Sequence, residues 1–181
     1  MSENYRILTY SDFLASEYLV HLSDFNCSDD DLNDFFKSDA AWYHEQNLAA
    51  THVVCSENDI VAFFTLTADC LHKQRISPDD AVENFQHLKY PALKIARLAA
   101  NLPYQKSGVG TWCMKKIFVV SSRLTKIAAF RFITVDAKLT NDVWRFYSRF
   151  GFRQVPTRQT EDTIPMYLDF FALYTDAVKN R

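Results

Sequence analysis

Hydrophobic and polar positions along the chain follow two periods. A short apolar stretch at Arg6 to Thr9 predicts a strand. Beyond Ser28, the residues Leu32, Phe35, Phe36, Ala40 and Tyr43 recur at helical spacing and predict an amphipathic helix over 28–46. Ser28 is read as its N-cap, and Asp29, Asp30 and Asp31 as charges that complement the positive end of the helix dipole rather than as catalytic carboxylates. Thr51 to Cys55 and Ile60 to Thr67 are β-branched and aromatic runs separated by the turn formers Ser56-Glu57-Asn58-Asp59, which predicts a hairpin.

Past Ala68 this alternation fades, and Ser77-Pro78-Asp79-Asp80 reads as the start of a short helix reaching about Lys89 and ended by Pro91. Ala92 to Ala100 predicts a buried strand. Val109, Cys113, Ile117, Val120 and Leu124 mark one face of a helix from Gly108 to Leu124, and Phe130 to Ala137 predicts the next strand. A second short helix is expected over 141–150, with Val143, Phe146, Tyr147 and Phe150 on one face and Gly151 as its left-handed C-terminal cap. Phe152 to Val155 and Pro165 to Phe171 are read as closing strands.

With 181 residues, 48% of them hydrophobic, the chain suits one compact domain with a substantial core. Its formal net charge of -2 lacks the basic excess of a dedicated nucleic-acid binder, although a local basic patch is compatible with it. Cys27, Cys55, Cys70 and Cys113 are widely spaced, form no C-x-x-C pair and read as reduced thiols with no zinc site among them. The start of the chain lacks the order of a signal peptide and no apolar run is long enough for a membrane helix, so the expected compartment is the cytoplasm.

Glycine changes the picture most. There are only three, Gly108, Gly110 and Gly151, where a chain of this length usually carries roughly 7% glycine. Two of them close the run Gln105-Lys106-Ser107-Gly108-Val109-Gly110, between a predicted strand and a predicted helix. Such a turn leaves backbone N–H groups unpaired at the positive end of a helix dipole and forms an anion cradle. Glycine would let a pyrophosphate approach the main chain, Lys106 adds positive charge, and Ser107 and Thr111 add hydroxyls. The run is not a Walker loop, because Lys106-Ser107 precede the glycines, and it is not a dinucleotide fingerprint, because it has two glycines rather than three.

The six residues Gln105 to Gly110 fit Q/R-x-x-G-x-G/A and so resemble the pyrophosphate-binding signature of the GNAT acyltransferases. Asn141-Asp142-Val143-Trp144-Arg145-Phe146-Tyr147-Ser148-Arg149-Phe150-Gly151-Phe152 is similar to the family's later pattern, most closely over Phe146-Tyr147 and Phe150-Gly151-Phe152. Tyr90 to Ala99 resembles the cofactor strand of one branch, and Cys27 to Ala40 with the hairpin ending at Asp69 resembles its amino-terminal half. This resemblance covers nearly the whole chain and implies a single GNAT domain over residues 1–181. The implied fold is mixed α/β: a central, mostly antiparallel twisted sheet with a splayed parallel strand pair, flanked by helices. The chain departs from the family at Leu98-Ala99-Ala100-Asn101, where L-A-V-D is common, and at Ser107, where many members have glycine.

The resemblance implies acetyl-CoA as cosubstrate, with no metal. It assigns cofactor contacts to Leu98, Ala99 and Ala100 through the backbone, to Gln105, Lys106, Ser107, Gly108, Val109, Gly110 and Thr111 in the cradle, and to Asn141 and Phe146. Tyr147 takes the role of general acid, because a phenol with a pKa near 10 can protonate the thiolate that leaves when an amine attacks the acetyl carbonyl; its structural alternative is a core tyrosine. Asp69 is a candidate for the base, beside the alternative of a carboxylate bonded to local backbone, and His72 lies close by in sequence. Arg97 either faces the acceptor or pairs with a buried acid. Arg145, Arg149, Arg153 and Arg158 could line an RNA-facing surface or be solvated charge.

The branch includes toxins that acetylate the amine of aminoacyl-tRNA. The implied acceptor is therefore an amine on a small molecule, a protein or aminoacyl-tRNA, and the implied partners extend to an antitoxin protein and a second copy of the chain, with no membrane. A cysteine nucleophile is disfavoured, since none of the four thiols has a recognisable histidine partner. The alternative function is a non-catalytic module that senses acyl-CoA or docks a partner, with Phe170, Phe171, Leu173 and Tyr174 as its interaction patch.

Overall fold

The computed structural model of the chain describes residues 5–156 and 162–179. In chain order, strand β1 (Arg6–Thr9) leads into helix α1 (Tyr10–Leu14), a 3-10 turn (Glu17–His21), and α2 (Asp30–Asp34) running through a π turn (Phe35–Asp39) into α3 (Ala40–Glu45). Strands β2 (Ala50–Cys55), β3 (Ile60–His72) and β4 (Lys89–Ala100) precede helix α4 (Val109–Leu124). Strand β5 (Phe132–Lys138), helix α5 (Val143–Ser148), strands β6 (Arg153–Gln154) and β7 (Thr163–Asp169), and helix α6 (Phe170–Lys179) complete the described elements. The seven strands pair in the order β1-β2-β3-β4-β5-β7-β6. β1 with β2, β2 with β3, β5 with β7 and β6 with β7 are antiparallel, and β4 with β5 is parallel. That parallel ladder covers three pairs, Ala92↔Phe132 to Lys94↔Thr134, although both strands run on beyond it. The expected mixed α/β fold with one parallel pair is therefore the observed one.

The chain forms two compact units, one from the stretch before Ala68 with Ala96–Val120, the other from Ala68–Ile95 with the stretch after Val120. In the first, Phe25, Phe35, Phe36 and Phe63 are buried together with Tyr10, Phe13 and Ala99. Phe36 lies flat on Phe63, centroids 4.3 Å apart, so the aromatic face of the 30–45 helix is matched to the strand beneath it. In the second, Tyr90, Phe132 and Tyr167 pack with Leu71, Ile76, Ala92 and Val155.

Several sequence expectations shift. Ser28 is not the cap: its φ is +64°, and Asp29 accepts the Leu32 N–H instead. The helix expected over 77–89 is a single 3-10 turn, Pro78–Asp80. Its backbone and acid are drawn elsewhere, since Tyr167 Oη accepts the Ser77 N–H at 2.8 Å and donates to Asp80, and Arg153 pairs with both oxygens of that carboxylate. Pro91 sits inside β4 rather than ending a helix, and its carbonyl accepts the Arg131 N–H. The last strand stops at Asp169, whose Oδ1 accepts the Ala172 N–H and so caps a helix where a strand end was expected.

Gly151 follows α5 at φ +88°, the left-handed closure expected of it, and a Cβ there would meet Leu168 Cδ1 at 3.4 Å. Gly151→Ala is expected to lose about 1–2 kcal/mol from backbone strain, visible as a melting temperature lower by several degrees. An unchanged melting temperature would show that this cap tolerates a side chain.

Candidate functional site

In the first unit, β4 ends at Ala100 and the chain turns through Leu102–Tyr104 before α4 begins at Val109. Lys106 and Gly108 have left-handed φ angles of +60° and +96°, and Ser107 between them does not. Alternation of that kind curves the backbone so that neighbouring N–H groups face a common point. The first bond of the helix joins the Trp112 N–H to Gly108 O at 3.0 Å. The N–H groups of Val109, Gly110 and Thr111 precede it and lack an intrahelical acceptor, as at any helix start. A Cβ on Gly108 would meet nothing within 4 Å, so the space in front of it is open.

The side chains of this turn are used unevenly. Lys106 is exposed and Val109 is buried, anchoring the helix on the same face as Cys113 and Ile117. Ser107 Oγ donates to Tyr104 O at 2.6 Å, which occupies its one hydroxyl proton. Gln105 Nε2 donates to Cys27 O and Ala100 O at 3.0 and 3.1 Å. Of the strand residues assigned to the cofactor, Ala99 is buried in the aromatic core, while Leu98 and Ala100 are half-buried and alternate to the other face.

The structure places Arg97 against two aromatic rings. Its guanidinium lies 3.4 Å from the centroid of Phe35 and 5.4 Å from that of Tyr43, a cation on an aromatic shelf. Burial lowers its pKa, and Tyr43 and Asp39 oppose that shift.

In the second unit Tyr147 lies in α5, buried, with Phe146 and Phe152 at 5.2 and 5.5 Å in edge contacts. Among the described residues its hydroxyl has no hydrogen-bond partner. Burial raises its pKa well above the ordinary phenol value. Asn141 falls in the 3-10 turn Thr140–Asp142 that leads into this helix. Asp69 lies within β3 and not at its end: Oδ1 accepts the Cys70 N–H at 2.7 Å and Oδ2 accepts the Thr134 hydroxyl at 2.5 Å. Both oxygens are thus engaged. On the same unit, Lys94 pairs with Asp136 at 2.6 Å across the parallel strands, next to Thr134. Sequence reasoning missed this polar row, which only the strand register reveals. His72 is the last residue of β3.

Arg153 is bound to Asp80, Arg145 lies over Trp144 and near Asp142, and Arg149 lies over Phe146; Arg158 lies outside the described residues. On α6, Phe171 and Leu173 are exposed and Phe170 is buried, and the Tyr174 side chain is not among those described. Cys55 and Cys113 are pushed up to about 12 by burial, which keeps both as thiols. No helix among the described residues is long and apolar enough to cross a membrane, and no cluster of three or more acidic, histidine or cysteine side chains among them is arranged to hold a metal.

Strand order, a parallel β4–β5 pair and the glycine turn ahead of α4 give a fold shared with solved toxin acetyltransferases of the GNAT type. A bacterial toxin superposes with a TM-score of 0.82 at 19% identity, over 98% of this chain and 96% of the other. AtaT complexed with acetyl-methionyl-tRNAfMet gives 0.80 at 16% identity, over 95% and 98%. A tyrosine-to-phenylalanine mutant of the AtaT toxin, bound to acetyl-CoA and the C-terminus of the antitoxin AtaR, gives 0.73 at 17% identity, over 95% and 97%. At these identities the likeness is one of fold. No family profile and no curated protein sequence matches the chain.

Proposed function

We propose that this chain is an acetyl-CoA-dependent N-acetyltransferase, one domain of 181 residues acting on a primary amine by direct attack. The observation that carries the reading is the turn before α4, where left-handed Lys106 and Gly108 shape a run of free helix N–H groups with open space before Gly108. An anionic pyrophosphate is the group such a turn receives best. Val109, Gly110 and Thr111 would donate through the backbone and Lys106 through its ammonium group. Leu98 and Ala100 would hold the pantetheine arm through the main chain, with Ala99 fixing the strand by burial, and Asn141 and Phe146 are the remaining proposed cofactor contacts.

In the reaction the amine nitrogen forms a bond to the acetyl carbonyl carbon and the C–S bond breaks. The thiolate takes its proton from the Tyr147 phenol, and the surplus proton of the amine passes to a base. Asp69 is the candidate, although both its oxygens already accept hydrogen bonds, from the Cys70 N–H and the Thr134 hydroxyl. Water-mediated transfer serves the same end.

Aminoacyl-tRNA is the acceptor we favour, supported by the likeness to AtaT in complex with an acetylated aminoacyl-tRNA. An antitoxin protein is the corresponding partner, supported by the AtaR-bound neighbour. The test is transfer of labelled acetyl groups from acetyl-CoA into a cell extract separated into RNA, protein and small-molecule fractions. Nuclease-sensitive label is expected. Label in protein or small amines would keep the enzyme and discard the tRNA acceptor, and no label from protein that binds acetyl-CoA would favour the sensing module.

A further inference from the structure

We propose that Gln105, together with Asn101, is a positioning brace for the turn and not a ligand of the anion it would receive. The proposal concerns how the cradle is held and, for its effect on acetyl-CoA, rests on the reading above. A primary carboxamide has two N–H donors on one nitrogen and one acceptor oxygen. On Gln105 both donors meet carbonyls: Ala100 O at the end of β4 and Cys27 O in the segment before α2. Among the described residues, what remains free is Oε1, an acceptor, which has nothing to offer a phosphate. The side chain therefore ties the end of the strand to the beginning of the turn and fixes both to the Cys27 segment.

Asn101 completes the connection. It is 6% exposed, and its Nδ2 donates to Ile60 O at 2.9 Å while Oδ1 accepts the Asn26 N–H at 3.2 Å. Its own N–H reaches Val61 O at 2.9 Å, and the next N–H, of Leu102, reaches Asn26 O at 2.8 Å. The Cys27 segment is pinned in turn, because Asn33 Oδ1 accepts the Cys27 N–H at 2.9 Å and Asn33 Nδ2 donates to Asn26 Oδ1 at 3.2 Å. Four amide side chains and the main chain of residues 26–33 thus set where Lys106 and Gly108 stand. By donor count, glutamine and arginine can each offer two N–H groups to two carbonyls, while a neutral apolar side chain of similar length offers none.

The experiment compares wild type with Gln105→Met, which removes the donors without adding charge, and Gln105→Arg, which restores them. Hydrogen exchange of the ligand-free proteins reads the brace itself. In Gln105→Met, amides of 24–34 and 98–111 are expected to exchange about tenfold faster or more, the scale of two hydrogen bonds lost, with wild-type rates elsewhere. Gln105→Arg should return them to near wild type. Calorimetry with acetyl-CoA should show Kd raised about tenfold in Gln105→Met and recovered in Gln105→Arg, while kcat at saturating acetyl-CoA changes by less than about twofold.

Asn101→Asp, which sets a buried carboxylate against Ile60 O, should lower the melting temperature, and Asn101→Ala should speed exchange over the same two segments. Wild-type exchange in Gln105→Met overturns the brace, as does a Gln105→Arg protein that exchanges as fast as Gln105→Met. Exchange that follows the brace in a wild-type protein that does not bind acetyl-CoA leaves the brace standing and overturns the function proposed above.

Discussion

Tyr147→Phe is expected to lower kcat about 100-fold or more while acetyl-CoA affinity and melting temperature stay near wild type. The rate effect is the usual contribution of a positioned general acid, and it amounts to about 2.7 kcal/mol of transition-state stabilisation. The unchanged stability follows from the surroundings of the side chain. Phe146 and Phe152 contact the ring, which phenylalanine retains, and the hydroxyl gives up no hydrogen bond among the described residues. Burial also fixes the sign of the pH dependence. It disfavours the phenolate and raises the pKa, so the acid form is complete at neutral pH and persists beyond pH of about 10, the ordinary phenol value. Wild-type kcat should therefore show no alkaline fall from this group between pH 7 and about pH 10. Steady-state kinetics of the variant decide the matter, and full turnover in Tyr147→Phe would remove the assigned role.

Local signals carried most of the fold because many elements here are closed by residues near in sequence. β1 was legible as a short apolar run, and the β2–β3 hairpin by the four turn formers between its strands; the Ser56 N–H does bond back to Asp59 O. The 30–45 helix was legible from its aromatic spacing, yet its cap was displaced by one residue, since Ser28 and Asp29 offer the same chemistry and only the backbone decides which one turns left-handed. The π turn within it left no period of its own to read.

Long-range partners defeated the rest. Asp80 looked like a helix-start acid, but Arg153 and Tyr167, more than seventy residues away, claim it and hold the segment in a single 3-10 turn. Asp169 was the available signal for α6, an N-cap ahead of Phe170-Phe171-Ala172-Leu173, and the β-forming aromatics concealed it.

The candidate site divides in the same way. The glycine turn was readable because left-handed backbone restricts residue type, and Gly108 has the φ that this requires. What Gln105 and Ser107 do with their donors was not readable, because Cys27 O and Tyr104 O are main-chain atoms that any sequence would supply. Arg97 was hard to place for a related reason: the aromatic rings that take its guanidinium, Phe35 and Tyr43, and the acid Asp39 all lie more than fifty residues earlier in the chain.

Gly108→Leu is expected to weaken acetyl-CoA binding about 100-fold, and comparison with Gly108→Ala separates the two causes. At φ +96° any Cβ strains the backbone, by roughly 1–2 kcal/mol, so both variants should melt a few degrees below wild type. Nothing lies within 4 Å of the position of that Cβ, so alanine adds no collision, and leucine reaches further into the space in front of the turn. A phosphate oxygen must come within about 3 Å of the helix N–H groups to accept from them, and a branched side chain bars that approach. Calorimetry should give an affinity order of wild type, then alanine, then leucine for acetyl-CoA. Acetyl-pantetheine, which has no pyrophosphate, should bind all three folded proteins alike. Equal acetyl-CoA affinity in wild type and Gly108→Leu would place the pyrophosphate elsewhere. An equal loss for acetyl-pantetheine would mean that the substitution disturbs the strand that holds the arm, since a blocked phosphate cradle leaves that ligand untouched.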